Sequence, residues 1–462
     1  MATETTAPVD LLVMGAELVA TVDDARREIQ GGWIACRDGL VVGIGGSHDV
    51  PPLANRSLSA AGCLVTPGLV NTHHHLYQNL ARAFRPVAAV PFETWLATLT
   101  PMWCALDEEA VYVSAWIGMV ELLLGGCTTT TDHLYLHPPQ GGDLLGAEIR
   151  AAHELSMRFH PTFGMMDITE STGGFAPDTL ARDVDDLLAE AERHVSRHHD
   201  PRHGSMLQLA LAPAATYLAS RKLMAETAAL AERLDVRLHT HLAYADIEDE
   251  WCEQHYGISS VAHAADCGWD TERVWIAHAL RASDDDIASF ARWGTSVAHC
   301  PSSTMLAGGG LTPVAKMRAA GVAVGLGVDG SASTDCASMW LETRMALLAT
   351  RYVSGSPACS ARDALEMATR GGARCLGREG ELGQLAVGSA ADLVCWSLTG
   401  PLYAGALSDP IEAWLRCGPT SAKHTVVAGR PLVVDGAPVH GDLDEVLARH
   451  RVAATRLQSL AR

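Results

Sequence analysis

Aromatic side chains are scarce in this sequence and make up 5% of its 462 residues. Hydrophobic residues nevertheless reach 48%, and small ones such as alanine, glycine and valine are plentiful. Small apolar side chains suit the layered packing of an α/β protein better than an all-β sandwich. The chain is long enough to bury a sizeable core, as one large domain with a smaller one or as two medium domains.

Basic residues are also in short supply. Lysine and arginine together number 34 against 54 acidic residues, which gives a formal net charge of −20. No cluster of lysine or arginine is present that could follow a phosphate backbone. This charge balance argues against nucleic acid as a partner and is typical of a soluble enzyme that acts on a small molecule.

Long apolar runs and paired cysteines are missing as well. No run approaches the roughly 20 apolar residues that span a bilayer, and the start, MATETTAPVD, lacks the charged and then apolar pattern of a signal peptide. We therefore expect a cytoplasmic protein with no membrane partner. The twelve cysteines form no C-x-x-C pair, which predicts buried thiols and excludes a cysteine-rich zinc site.

The two ends of the chain share a β-like texture. Residues 1–65 contain short apolar runs separated by glycine, aspartate and proline, and the same pattern returns in residues 376–440. We predict that these two segments form one small β-sandwich domain around a central unit, residues 66–375. Residues 441–462 have the pattern of an amphipathic terminal helix.

Within the central unit, apolar runs that end in polar residues alternate with helical patterns. The run into NTHHH and seven further runs give eight candidate strands. The seven are MVELLLGGCTTTTDH, RFHPTFGMMD, MLQLALAP, DVRLHTHLA, RVWIAHAL, GTSVAHCP and VAVGLGVDGSAS. Strand, loop and helix recur in the rhythm of a parallel (β/α)8 barrel of the TIM type. The polar residues lie at the carboxyl ends of the runs, where barrel enzymes assemble their active sites.

Histidines recur at these strand ends. In VNTHHHLYQ, His73 and His75 are two residues apart, so their side chains share one face while His74 points to the other. Further strand ends supply side chains that a divalent metal prefers, namely His239, His241, His278, His299 and Asp329. One histidine at a strand end is usually a hydrogen-bonded structural residue, whereas five such strand ends on one barrel rim favour a metal site.

Six stretches together carry a family resemblance: PGLVNTHHHLYQ, GCTTTTDHLYL, DVRLHTHLA, RVWIAHA, VAHCPSS and VGLGVDGSAS. They resemble the amidohydrolase superfamily, in particular its single-metal aminohydrolase branch of 8-oxoguanine deaminase and s-triazine hydrolases. The resemblance covers nearly the whole chain, including RDGLVVGIG and LAVGSAADLV near its ends. Relatives of this kind are commonly dimers or higher oligomers, so a homo-oligomer is expected.

The resemblance implies four ligands for a divalent metal, His73, His75, His241 and Asp329. Zinc is the first choice for the ion and iron the second. His278 would stand beside the activated water, while His74 and His239 would serve packing or support a ligand from behind. The binuclear relatives bridge two metals with a carboxylated lysine, and the fourth strand here, RFHPTFGMMD, contains no lysine, so we expect one ion.

This ligand set predicts hydrolysis at an sp² carbon that bears nitrogen. A divalent ion can lower the pKa of water from 15.7 to about 7 and so supply hydroxide at neutral pH. Asp329 can accept the proton of that water and pass it to the leaving amine. His278 can donate a hydrogen bond to the oxyanion that develops during attack.

One catalytic position departs from the family pattern. The family has a glutamate three residues after the third histidine, and this chain has Tyr244 there, in HLAYADIEDEW. A phenol, with an ordinary pKa near 10, donates a hydrogen bond but shuttles protons poorly at neutral pH. Tyr244 could orient a substrate that needs no ring protonation, Asp246 or Glu248 could replace the glutamate, or activity could be lost.

Other positions predict a rebuilt substrate pocket. Phe163 stands where 8-oxoguanine deaminases tend to carry arginine, and Thr304 replaces a common asparagine. Such changes leave the polar groups of a small purine unpaired, which argues against 8-oxoguanine and for a larger or more apolar substrate. The candidate substrate contacts are Gln78, Trp103 and His299.

Three functions are compatible with these residues. The first is a metal-dependent hydrolase of a C–N bond, a deaminase of a nitrogen heterocycle. The second keeps the metal but hydrolyses an amide or amidine in a larger natural product or peptide. The third is a metal-bound binding protein without catalysis, which the missing glutamate suggests.

Overall fold

The computed structural model describes residues 7–174 and 176–461. Its strands, in chain order, are β1 (Val9–Met14), β2 (Leu18–Ala20), β3 (Glu28–Gln30), β4 (Trp33–Arg37), β5 (Leu40–Gly45), β6 (Ala54–Ser59), β7 (Cys63–Pro67), β8 (Leu69–Asn71), β9 (His74–His75), β10 (Cys127–Thr130), β11 (His133–Leu134), β12 (Arg158–Phe159), β13 (Thr162–Met165), β14 (Ala210–Pro213), β15 (Arg237–Leu242), β16 (Val274–His278), β17 (Ser296–His299), β18 (Val324–Leu326), β19 (Asp329–Gly330), β20 (Leu393–Ser397), β21 (Ala422–Val427), β22 (Arg430–Val434) and β23 (Ala437–Pro438).

The helices lie mainly between the strands of the central unit. The α-helices, in chain order, are α1 (Phe92–Trp103), α2 (Glu108–Leu124), α3 (Leu144–Leu155), α4 (Val184–His198), α5 (Arg221–Leu234), α6 (Asp246–Tyr256), α7 (Ser260–Asp266), α8 (Asp284–Trp293), α9 (Pro301–Leu306), α10 (Val314–Ala319), α11 (Ser331–Thr334), α12 (Met339–Ser354), α13 (Ala361–Glu366), α14 (Gly372–Cys375), α15 (Pro410–Arg416) and α16 (Leu443–Gln458). Across the described ranges, none of these helices has the length and apolarity to cross a membrane.

A parallel barrel forms the centre of the molecule. Its sheet runs through β14, β15, β16, β17, β18, β8 and β10, and each neighbouring pair is parallel. The ring closes because β18 pairs with β8 through Leu326 and Asn71, and because the broken strands β10–β11 and β12–β13 pair with each other. Each of the eight predicted runs supplies a strand, which confirms the barrel. In MVELLLGGCTTTTDH, however, residues 119–124 belong to the end of α2, and the strand β10 begins only at Cys127.

The two ends of the chain form a sandwich of two sheets beside the barrel. One sheet has the order β5-β4-β1-β6, and the other, β23-β22-β21-β20-β7-β2-β3, joins strands from both ends. Leu11 and Ile34 of the first sheet and Val65 and Leu393 of the second share one buried core. The predicted extra β-domain is therefore confirmed, while its exact boundaries stay a prediction.

Two of the sequence expectations extend beyond the described residues. The first six residues, on which the expectation of no signal peptide rests, are outside the described ranges. Arg462, the last residue of the predicted terminal segment, is outside as well, and α16 covers most of that segment.

Candidate active site

The polar strand ends meet at the carboxyl end of the barrel. His73 and His75 follow β8, and the short strand β9 pairs in parallel with β19, which sets Asp329 opposite His74 and Gly330 opposite His75. His241 in β15 lies beside the next strand, β16, whose last residue is His278. Residues separated by about 250 positions in the sequence are thus brought onto one rim.

These side chains form what we call the histidine–aspartate cluster: His73, His75, His241, His278 and Asp329. The Nε2 atoms of His73 and His75 each lie 3.4 Å from Oδ1 of Asp329. His75 Nε2 is 3.2 Å from His241 Nε2, and His278 Nε2 is 3.9 Å from Asp329 Oδ2. Two imidazole nitrogens and a carboxylate oxygen, from His73, His75 and Asp329, therefore lie close enough together to hold one ion, and His241 adjoins them through His75.

Backbone carbonyls orient two of the imidazoles. His75 Nδ1 lies 2.8 Å from the carbonyl oxygen of His133, and His241 Nδ1 lies 2.6 Å from that of Ala214. A carbonyl only accepts, so each Nδ1 carries the proton and donates it. In the neutral ring this leaves the Nε2 lone pair directed into the cluster, which is the tautomer that a metal ligand needs.

His73 is oriented by a second histidine. His239 donates from Nδ1 to the carbonyl of Trp275 at 2.9 Å, so its Nε2 accepts from His73 Nδ1, also at 2.9 Å. His73 Nε2 is buried and has no hydrogen-bond partner among the described residues. His74 turns away from the cluster and accepts the backbone N–H of His75 at its Nδ1.

Burial keeps the imidazoles neutral. It lowers the pKa of His241 and of His278 to about 4, and it lowers the pKa of His73 well below its ordinary value. A neutral imidazole binds a metal without first losing a proton. The unsatisfied nitrogen of His73 and this neutral donor set fit a divalent cation.

The backbone is strained at two cluster residues. His278 has φ +73° and Asp329 has φ +59°, both in the left-handed region that residues other than glycine rarely adopt. Such conformations cost about 1–3 kcal/mol each and persist where the surroundings impose them. Ser303 helps to hold Asp329 by donating a hydrogen bond to Oδ2.

A cavity of about 1020 Å³ opens above the cluster. Gln78, Trp103 and Tyr244, all predicted from the sequence, line it. Gln78 packs against Gly330, where any β-carbon would overlap its amide. His299 is buried and is not among the described residues that line the cavity, so its contact with a substrate stays a prediction.

Tyr244 faces the cavity and Glu248 does not. The Tyr244 phenol is hydrogen-bonded to that of Tyr217, while Glu248 lies behind, fully buried, and accepts hydrogen bonds from the Tyr244 backbone N–H and the Thr216 hydroxyl. Asp246 lies at the cavity mouth and forms an ion pair with Arg281 at 3.0 Å. Of the three candidates for the missing glutamate, Tyr244 is the residue beside the cluster.

Aromatic side chains form a continuous row around the cavity, which we call the aromatic belt: Tyr77, Trp103, Trp95, Phe92 and Tyr244. Successive ring centroids are 5.9, 5.2, 5.8 and 6.4 Å apart. The belt begins 6.0 Å from the ring of His75 and ends 5.7 Å from that of His278. Four of the five rings line the cavity, and the fifth, that of Tyr77, is buried.

Several residues of the site are missed by sequence reasoning. His133 lies against the rings of His75 and His241 at 5.6 and 4.9 Å, and the stretch GCTTTTDHLYL contains it, but a single histidine there is no signal by itself. Tyr217 is marked only by its place after the fifth strand. Phe163, expected in the pocket, instead stacks between His137 and His194, away from the cavity lining.

Comparisons with known proteins agree on one family. The family model described as the amidohydrolase family matches residues 64–439. The chain is 40% identical to 8-oxoguanine deaminase of Pseudomonas aeruginosa, over 92% of this chain and 95% of that protein. It is 36% identical to hydroxydechloroatrazine ethylaminohydrolase of Pseudomonas sp. strain ADP, over 86% and 85%.

A solved structure extends the agreement to the whole fold. A variant of atrazine chlorohydrolase from Arthrobacter aurescens TC1, complexed with zinc and atraton, superposes with a TM-score of 0.91. The two sequences are 32% identical, and the match covers 96% of this chain and 100% of that one.

Proposed function

The chain belongs to the amidohydrolase family and is a metal-dependent hydrolase of C–N bonds, and from this premise we propose that it removes an amino group from a nitrogen heterocycle. The observation that carries the proposal is the grouping of His73, His75 and Asp329 at the carboxyl end of the barrel, with His241 next to His75. This is the end at which barrel enzymes carry out their chemistry.

The proposed ligands for the divalent metal are these same four residues. Three neutral imidazoles and one carboxylate form a borderline nitrogen and oxygen donor set that suits zinc, and the atrazine chlorohydrolase variant is complexed with zinc. We propose zinc, in one copy. Support for one ion comes from β12 and β13, which contain no lysine that could bridge a second.

The chemistry that such an ion supplies is the acidification of water, whose pKa falls to about 7 in zinc enzymes. The chain's own residues move the protons and stabilise charge. Asp329, fixed through Oδ2 by Ser303, accepts the proton of the attacking water and delivers it to the leaving amine. His278, whose Nε2 faces the same carboxylate, donates a hydrogen bond to the developing oxyanion.

Tyr244 and Gln78 are proposed to hold the substrate. Burial raises the pKa of Tyr244 well above its ordinary value, so the phenol stays neutral and acts as a hydrogen-bond donor rather than as a proton shuttle. Gln78 presents a buried amide oxygen that has no partner among the described residues. A substrate amino group or ring N–H is its natural partner.

The substrate is proposed to differ from 8-oxoguanine despite the relative of that name. Thr304, which the family resemblance places where an asparagine is common, lines the cavity beside the apolar side chains of Ala215 and Leu218. A site that leaves a buried polar group unpaired discriminates strongly against the molecule that carries it.

Ammonia release tests the reaction. The zinc-loaded enzyme is assayed with a panel of aminated purines, pterins and triazines that includes 8-oxoguanine. We expect ammonia from at least one member and none from the Asp329→Asn variant. Ammonia from no member would overturn the deaminase assignment.

Metal analysis tests the ligands separately. We expect about one zinc per chain, and a sharp fall in His73→Ala and His241→Ala. His255→Ala is the matched control, because His255 lies in the last turn of α6, stacks on Trp251 and belongs to neither group of candidate metal ligands. Two ions per chain, or unchanged zinc in both ligand variants, would contradict the assignment.

A second candidate function is hydrolysis of an amide or amidine in a larger molecule. The volume of the cavity, about 1020 Å³, favours it, because pockets of roughly 300–1,000 Å³ already accommodate drug-sized ligands. The two reactions differ in their products when the amide or amidine nitrogen carries an organic group. A deaminase releases ammonia, whereas this hydrolysis releases an organic amine and leaves a carboxylate from an amide or an amide from an amidine, and mass spectrometry detects these products.

A further inference from the structure

The cavity is lined by apolar as well as polar side chains. Of the histidine–aspartate cluster, His75, His241, His278 and Asp329 line it, together with Gln78 and Ser303. Six further lining residues are apolar, and we call them the apolar vestibule: Phe84, Val87, Val90, Leu96, Leu180 and Leu306. A reacting group at the cluster would fill only a fraction of the cavity of about 1020 Å³.

The aromatic belt adds a row of packed rings to this lining. Phe92 is 40% exposed and stacks on Trp95 with an interplanar angle of 15°. The indole N–H of Trp95 donates to the carbonyl of Ala332 at 3.1 Å, three residues after Asp329. The Trp95 ring is thus tied to the segment that carries the cluster, and it offers a flat apolar face to a ligand.

The charges at the mouth select against anions. Glu93, Glu250 and Asp335 line the cavity, whereas Arg281 is the single arginine or lysine among the described lining residues and is paired with Asp246. A carboxylate or phosphate on the substrate would meet this excess of negative charge as it left water. A neutral apolar group meets no such penalty.

From this arrangement we propose that the substrate carries an uncharged apolar or aromatic arm, which lies along the aromatic belt and in the apolar vestibule while the C–N bond is cleaved at the cluster. The inference rests on the proposed function for the identity of the reacting group. It adds that the arm contributes to recognition through Trp95 and Phe92, and that substrates ending in an anion are disfavoured.

Binding of hydroxamates to the zinc-loaded protein tests the arm without requiring turnover. Calorimetry compares acetohydroxamate, 5-phenylpentanohydroxamate and adipic acid monohydroxamate, which share the metal-binding head. We expect the phenyl compound to bind at least about 10-fold more tightly than acetohydroxamate, a difference of about 1.4 kcal/mol. The compound ending in a carboxylate should show no such gain.

Substitutions in the aromatic belt test whether the belt causes the higher affinity of the phenyl compound. Trp95→Ala should reduce the preference for the phenyl compound to less than about 3-fold, and Phe92→Leu, which keeps an apolar side chain and so preserves folding, should reduce it in part. Tyr352→Ala is the control, because this side chain is 88% exposed on α12 and is absent from the cavity lining. Tyr352→Ala should prefer the phenyl compound over acetohydroxamate as strongly as the parent does.

The outcomes separate this inference from the reaction. Suppose that a heterocycle is deaminated but the phenyl compound binds no more tightly than acetohydroxamate, or that its higher affinity persists in Trp95→Ala. The proposed arm is then wrong, and the proposed deamination is unaffected. If the phenyl compound binds more tightly to the parent and loses this advantage in Trp95→Ala, but no ammonia is released, the proposed arm is supported and the deaminase assignment is wrong. Failure of every hydroxamate to bind the zinc-loaded protein counts against both.

Discussion

Tyr244 stands at the position where the family resemblance predicts a catalytic glutamate, and that departure stays a prediction. Its phenol is paired with that of Tyr217, and its ring lies 5.9 Å from that of His241. Because burial keeps the phenol protonated, the substrate must either need no proton at its ring nitrogen or obtain it from Asp329.

Replacement of Tyr244 tests this role. Tyr244→Phe should lower kcat/KM by about 2- to 12-fold, which corresponds to the 0.5–1.5 kcal/mol of one hydrogen bond between neutral groups. Steady-state kinetics with the heterocycle identified by the ammonia panel provide the measurement. Full turnover in Tyr244→Phe would show that the phenol takes no part in the reaction.

A double-mutant cycle with Tyr217 separates contact with the substrate from support of the phenol pair. Tyr217→Phe removes the hydrogen bond between the two tyrosines while leaving the Tyr244 hydroxyl in place. If Tyr244 contacts the substrate directly, Tyr244→Phe should retain most of its effect in the Tyr217→Phe background. Loss of the whole effect there would mean that the pair acts only as a unit.

At the scale of one element, α6 is anchored by a buried acid. Glu248, the third residue of the helix, accepts hydrogen bonds from the Tyr244 backbone N–H and from Thr216. Burial raises the pKa of its carboxyl to about 8, from an ordinary value of 4.5. The folded protein therefore holds a proton at neutral pH that the unfolded chain would release.

Glu248→Gln should change how stability depends on pH. Because the pKa of Glu248 is higher in the folded state, this residue makes folding less favourable as the pH rises from about 4.5 to about 8. Glutamine mimics the protonated acid and removes that dependence, so the Tm of Glu248→Gln relative to the parent should rise by at least about 2 °C between pH 5 and pH 8.5.

Thermal melts across this pH range provide the measurement. Glu250→Gln, an exposed change on the same helix, is the control and should follow the parent at every pH. Parallel curves for Glu248→Gln and the parent would show that the Glu248 carboxyl titrates normally.

Most barrel strands were predictable because they carry a local signal, an apolar run that ends in a polar residue, whereas the apolar run before β10 is the end of α2. His73, His241 and Asp329 could be located on one rim for that reason. The aromatic belt could not, because Phe92 and Tyr244 meet only after α1 and β15 are placed in space. The burial of Glu248 is hidden in the same way, since an acidic residue near a helix start ordinarily faces solvent.

At the scale of the whole molecule, a buried ion pair joins the barrel to the sandwich. Arg158 of β12 bonds to both carboxylate oxygens of Asp392, at 2.8 and 2.9 Å, and both side chains are almost fully buried. Asp392 also accepts the backbone N–H of Ala428, which follows β21.

The expectation of a homo-oligomer stays a prediction.

Removing one partner of this pair should destabilise the protein. Arg158→Met leaves a buried unpaired carboxylate and should lower the free energy of unfolding by about 3–5 kcal/mol. Arg158→Met combined with Asp392→Asn should cost less, because no charge then remains and the amide oxygen can still accept from Ala428. Chemical denaturation measures both variants.

An exposed ion pair provides the comparison. Arg202 is 84% exposed in its pair with Asp200, so Arg202→Met should cost no more than about 1 kcal/mol. A loss for Arg158→Met as small as that for Arg202→Met, or a double variant less stable than the single one, would contradict the role given to the buried pair.

The joining of both chain ends in one sheet also sets the order in which the protein can be completed. β7 pairs with β20, and Trp396 donates a hydrogen bond to Thr66 across 330 positions of sequence. At synthesis rates of about 5–20 residues per second, roughly 15–70 s pass between the synthesis of β7 and that of β20. During this interval the edge of β7 is open to pairing with other chains, so the nascent chain should need chaperone protection longest at its earliest strands.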